Sequence, residues 1–145
     1  MELKAYQKHV IADLKRYMEL LRDSRNYITA FRDFWEERGA PVLGRYHNLL
    51  PGVPNLCFKV PTGGGKTFLA CSAIKPIFDA LPPTKTKAVV WLVPSDAILT
   101  QTAEHLKDPY HPYRQKINVD FGGRVEVYTK EELLNGQNFS PTTVM

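Results

Sequence analysis

The residues with the clearest chemical purpose are Gly63, Gly64, Gly65, Lys66 and Thr67, within "VPTGGGKTFLA" at 60–70. Holding a phosphate by the backbone requires several amide N–H groups aimed into one small cavity. Glycines permit both the required backbone angles and the close approach of an anion. A helix opening at Lys66 adds the positive end of its dipole, the Lys66 ammonium reaches the β- and γ-phosphates, and the Thr67 hydroxyl ligates a magnesium ion carried by a nucleotide. Val60 occupies the position at which the strict pattern places its first glycine. The competing reading is a glycine-rich turn that merely joins a strand to a helix.

The first reading needs a strand before the glycines and a helix after them. "NLCFKV" is a short apolar run, and "GKTFLACSAIKPIFDAL" has helical spacing at Phe68, Leu69, Ala73 and Ile77. "KAVVWLVP" then reads as a strand covered on both faces, and "SDAILTQTAEHLK" as a helix opening on Ser95. Strand, helix, strand, helix at this spacing predicts an α/β fold with a parallel sheet and right-handed crossovers.

Upstream, Leu3, Tyr6, Val10, Leu14, Tyr17 and Leu21 recur at three- and four-residue intervals and predict an amphipathic helix. A second helix, "SRNYITAFRDFWEER", is expected to open on Ser24, carry Tyr27, Phe31, Phe34 and Trp35 on a core-facing stripe, and stop at Gly39 and Pro41. Residues 39–54 read as a connecting loop. Downstream, "INVDF" and "RVEVY" flank Gly122 and Gly123 as a hairpin or a bend between strands. Thr129 and Glu132 form a capping box for a short helix that Gly136 would end, and "TTVM" looks like a strand that has only begun.

The 145 residues fit one domain, and 43% hydrophobic with 23% charged residues is the balance of a globular chain with a real core. A net charge of +4 permits a polyanionic partner without establishing one, because the basic residues are spread along the chain. Cys57 and Cys71 lie in apolar stretches without zinc or redox spacing and read as small buried hydrophobes. His9, His47, His105 and His111 are too scattered for a metal site. No apolar run is long enough to cross a membrane and the N-terminus is no secretion signal, so a cytoplasmic protein is expected. The acceptor pattern at Asn138 therefore has no glycosylating compartment to act in.

"VPTGGGKT" resembles motif I of the superfamily 2 helicases and translocases, which commonly write a small or apolar residue before Pro-Thr-Gly. "LVPSDAILTQ" resembles motif Ia, and "LKAYQKHVI" the upstream helix whose glutamine reads adenine. The chain resembles the restriction (Res) subunits of type III restriction enzymes and their DEAD/DEAH-box helicase relatives. That resemblance implies the first part of a RecA-like P-loop NTPase domain over 55–145, behind a helical segment and loop over 1–54. It implies ATP and Mg2+ as cofactors. Gln7 would bond the adenine edge, while Pro61, Thr62, Gly63, Gly64, Gly65, Lys66 and Thr67 would hold the phosphates and magnesium. Lys66 and Thr67 would be the catalytic residues, and Ser95 and Gln101 would face nucleic acid, DNA ahead of RNA. A methyltransferase (modification) subunit is the implied protein partner.

The residues leave alternatives open. Gln7 equally suits a polar position on a helix surface, and Ser95 is an N-cap with or without a phosphate nearby. "DFGG" at 120–123 matches one kinase signature but nothing else of that fold. The interval between Gln7 and Lys66 exceeds that of compact DEAD-box proteins, so 24–54 reads as an insertion. No Asp-Glu motif follows a later strand, so the metal-holding acid and the water-orienting base are missing. The sequence therefore reads as an N-terminal piece ending before motif II that hydrolyses no ATP by itself. A small-molecule kinase and a non-catalytic interaction module with a vestigial loop are the rival readings.

Overall fold

The structure is a computed structural model that describes residues 2–40, 46–47 and 49–135. Its elements are α1 (Ala5–Ser24), α2 (Tyr27–Glu36), α3 (Lys66–Ala80), α4 (Asp96–Lys107), α5 (Pro112–Phe121) and α6 (Lys130–Leu134). The expected stops at Pro41 and Gly136, the strand "TTVM" and the Asn138 acceptor lie outside the described residues.

The first helix forms as its periodicity predicts, but its buried face is rotated. Gln7, Ile11, Leu14, Tyr17 and Met18 are buried, whereas Tyr6 is exposed. Tyr6 carries a polar tip that finds its partner at the helix edge, which leaves the deeper position to Gln7. The second helix opens two residues later than Ser24, on Asn26. The Asn26 side chain accepts from the N–H groups of Ile28 and Thr29 at 2.9 and 3.1 Å, and the Ser24 hydroxyl turns back to the Leu20 carbonyl at 2.7 Å to finish α1. The aromatic stripe of α2 does face the core. Phe34 meets Tyr17 edge-on at 6.1 Å, and Tyr46 from the connecting loop packs on Tyr27 and Phe31 at 5.4 and 5.3 Å.

Helix α3 is the axis of the molecule because it is apolar on two faces. One face, with Ala73, Ile77 and Ala80, packs on the cluster of Leu14, Tyr17 and Met18 of α1, which Ala30 of α2 completes from the other side of α1. The other, with Cys71 and Ile74, joins Leu106 of α4, Ile117 of α5 and Val125. The larger of these side chains, such as Leu14, Met18, Ile74 and Ile117, each stabilise by about 1.5–3 kcal/mol when fully buried.

The expected parallel sheet is overturned. Among the described residues the regular elements are all helices, and strand-like pairing is confined to single-residue bridges at Lys87 and Val125. The segments 56–60 and 88–93 form no ladder; they flank an apolar cleft of about 510 Å³ lined by Leu56, Phe58, Trp91 and the facing sides of α1 and α3. Val89 and Trp91 still pack on the core, while Val90 and Leu92 stay 82% and 88% exposed. An apolar run specifies what its side chains need, but a strand exists only with a backbone partner alongside.

The hairpin is also corrected. "INVDF" is the last stretch of α5, which Pro112 opens at its first position. The two glycines end that helix: Gly122 has φ 64°, and the Gly123 N–H returns to the Asn118 carbonyl at 2.8 Å. Positive φ serves a helix stop as well as a hairpin, so the glycine pair alone does not choose between them. The Arg114 guanidinium locks this corner, donating to Asn118 Oδ1 at 2.9 Å, the Leu106 carbonyl at 3.1 Å and the Val125 carbonyl at 2.6 Å.

Candidate functional site

The glycine loop turns tightly into α3. The Gly64 N–H donates to the Pro61 carbonyl at 3.0 Å, and Gly63 and Gly65 adopt φ of 74° and 67°. Gly65 is the N-cap of α3, so Lys66 and Thr67 occupy the first helical turn, where N–H groups lack intrahelical acceptors. Buried Phe68 and Leu69 anchor that turn to the core.

Each glycine is required differently. A Cβ on Gly64 would lie 2.7 Å from Val60 Cγ1 and 2.8 Å from the Pro61 oxygen, so space forbids it. At Gly63 the space is open and the backbone angle is the constraint, and at Gly65 both apply, since a Cβ would lie 2.8 Å from Gln7 Nε2. Val60, standing where the strict pattern has glycine, thus packs against the loop it precedes.

Helix α1 closes the loop from the other side. Gln7 is only 4% exposed; its Nε2 donates to the Gly64 carbonyl at 2.9 Å and its Oε1 accepts from the Lys4 N–H at 2.9 Å. The Tyr6 hydroxyl donates to the same Gly64 carbonyl. Tyr6 was not legible as a site residue, because its helical spacing assigns it to the apolar face. Its one signal is its place beside Gln7, with a polar tip at the start of a helix.

Lys66 is exposed and its Nζ donates to the Pro61 carbonyl at 3.0 Å, so the ammonium lies over the loop mouth. Pro61 and Thr62 are exposed on the turn, and Thr67 is half-buried. The donor set fits an anion: side-chain-free backbone, a helix N-terminus and one ammonium, with a hydroxyl beside them for a cation that the anion brings.

Ser95 and Gln101 stand apart. Ser95 is exposed and caps α4, accepting from the Ile98 N–H at 3.4 Å, and Gln101 is exposed further along the helix. Among the described residues α4 lies against α5, and its Leu106 reaches the core cluster on the outer face of α3, away from α1. The structure therefore gathers Gln7, Gly64, Gly65 and Lys66 and leaves Ser95 and Gln101 on a separate element. Cys57, expected to be buried, is exposed; Cys71 is fully buried, and burial pushes its thiol up to about 12.

No helix among the described residues is long and apolar enough to cross a membrane. No curated protein and no solved structure matches the chain. A family model described as "Type III restriction enzyme, res subunit" matches residues 1–141, which span both the Gln7 helix and the glycine loop. The chain belongs to the type III restriction enzyme res-subunit family, within the superfamily 2 helicases.

Proposed function

We propose that this chain is the nucleotide-binding portion of an ATP-dependent motor that moves along nucleic acid, DNA ahead of RNA, and that works with a methyltransferase subunit. The observation that carries the reading is the Gly63–Gly64–Gly65 loop, capped by α3 and backed by Gln7 of α1. In it the loop N–H groups would hold the phosphates, Lys66 would neutralise their charge and the Thr67 hydroxyl would ligate the magnesium ion that accompanies them. Bound Mg·ATP supplies the phosphoryl-transfer energy on which such a motor runs.

Gln7 spends one donor and one acceptor site on the backbone, and an amide has a second of each. The adenine role assigned to it uses that remaining capacity. Ser95, at the N-terminus of α4, and Gln101 would touch backbone phosphates of the track, a grip that reads charge rather than sequence.

The test titrates labelled single- and double-stranded DNA and RNA with the chain, with and without Mg·ATP. The reading predicts salt-sensitive binding that Mg·ATP alters in the wild type and leaves unaltered in Lys66→Ala. Indifference of nucleic-acid binding to Mg·ATP would favour an interaction module, and phosphate transfer to a small acceptor would favour a kinase.

A further inference from the structure

Two consecutive residues of α1 aim donors at a single atom of the phosphate loop. The Tyr6 hydroxyl and Gln7 Nε2 both donate to the Gly64 carbonyl, across 58 and 57 residues of sequence. A carbonyl oxygen has two lone pairs, so the two bonds are compatible and together fill it. The peptide that follows Gly64 is trans, as every described peptide is, and a peptide unit is planar. Its C=O and the Gly65 N–H therefore point in opposite directions. Fixing the oxygen toward α1 fixes the Gly65 N–H to point away from α1.

Glycine makes this pin both possible and necessary. A Cβ on Gly64 would approach the Tyr6 oxygen at 3.2 Å, and one on Gly65 would lie 2.8 Å from Gln7 Nε2, so only glycines let α1 come this close. The same residues have more backbone freedom than any other type and cannot hold one orientation by themselves. An outside constraint must supply the order.

We propose that Tyr6 is a positioning residue for the phosphate loop: with Gln7 it pins the Gly64–Gly65 peptide so that the Gly65 N–H is set for a phosphate oxygen. This rests on the phosphate-binding reading of the loop. Tyr6 is 38% exposed, so its hydroxyl can be deleted without opening the core. Its effect is on phosphate and is blind to the base.

Tyr6→Phe keeps the ring and removes only the donor. The experiment compares wild type and Tyr6→Phe, both held well below their melting temperatures, in two readouts. In the nucleotide-free protein, the Gly64 and Gly65 amide resonances should move and exchange faster with solvent while those of α2 stay in place. In calorimetric titrations, affinity for Mg·ATP, Mg·GTP and inorganic tripolyphosphate should fall by one common factor of about three to ten, the worth of one uncharged hydrogen bond. A purely structural tyrosine would lower the melting temperature and leave ligand affinity of the folded protein alone, which overturns the proposal. Unmoved Gly64 and Gly65 resonances overturn it too, as does a loss confined to Mg·ATP, which would place Tyr6 at the base. If the wild type binds none of the three ligands, the phosphate reading itself fails. The resonance comparison then still decides the pin: a shift upholds it and no shift overturns it.

Discussion

Gly63 and Gly64 are neighbours of one type held by unrelated constraints, and their alanine variants should separate those constraints. Gly64→Ala drives a Cβ into Val60 Cγ1 and the Pro61 oxygen. It should cost about 1–3 kcal/mol of stability, the usual range for overpacking, and displace the loop. Thermal unfolding reads the first effect and the amide resonances of 61–66 the second. Adding Val60→Ala should recover only part, because the Pro61 oxygen stays. Gly63→Ala meets no atoms but forces a side chain to φ 74°, which costs about 1–2 kcal/mol and leaves the Gly64 carbonyl on Tyr6 and Gln7. The glycines, Lys66 and Thr67 were legible as a group because their types leave few other purposes. Tyr6 was not, because a tyrosine at helical spacing looks apolar until its hydroxyl has an acceptor, and that acceptor lies far along the chain. Cys57 and Cys71 both sit in apolar surroundings in the sequence, and only the fold distinguishes them. One thiol, that of Cys57, should react with a water-soluble disulfide reagent in the native protein and both after denaturation.

Helices were the legible elements, since their periodicity and caps are local. Ser95 caps α4, and Thr129 and Glu132 form a reciprocal box at α6, the Thr129 N–H donating to Glu132 Oε2 at 2.6 Å. The strands were not legible in the same way: "NLCFKV" and "KAVVWLVP" satisfy every local criterion, yet their pairing depends on a neighbour that no local pattern names. "INVDF" shows the same weakness at shorter range, because five residues cannot separate a period of two from one of 3.6. Pro112 before it and Gly122 after it bracket a helix, and that bracket was the better signal. Two substitutions test the elements themselves. Asn26→Ala removes the acceptor for two N–H groups of α2 and should cost about 1 kcal/mol. Arg114→Ala frees the Leu106 and Val125 carbonyls at once and should cost about 2–3 kcal/mol, read by thermal unfolding.

The whole molecule is held through α3, which carries one core cluster on each side and the phosphate loop at its N-terminus. Any charge change at the outer cluster is therefore felt as global stability. His111 stacks on His105 with ring centres 4.0 Å apart, and Tyr113, at 4.4 Å from His111, links the pair to Phe68 of α3 at 6.2 Å. Burial, with His105 adding to it, holds His111 below its ordinary value of 6.5, against a smaller opposing pull from Asp108. The folded state thus prefers the neutral ring. Below 6.5 the unfolded chain binds the extra proton first, so this stabilisation is complete above that value and is lost as pH falls through it toward the folded value. Melting temperature should fall on that acidic side, and His111→Asn, which keeps a side-chain acceptor for the Tyr113 N–H, should flatten the fall.

The central claim is that the loop on α3 holds the phosphates of a nucleotide, and calorimetric titration of the chain with Mg·ATP tests it most directly, with Lys66→Ala as the comparison. Saturable binding in the wild type that Lys66→Ala weakens at least about tenfold, the consequence of losing one charge-assisted contact, is the predicted result. Equal binding by both proteins, or none by either, would contradict it.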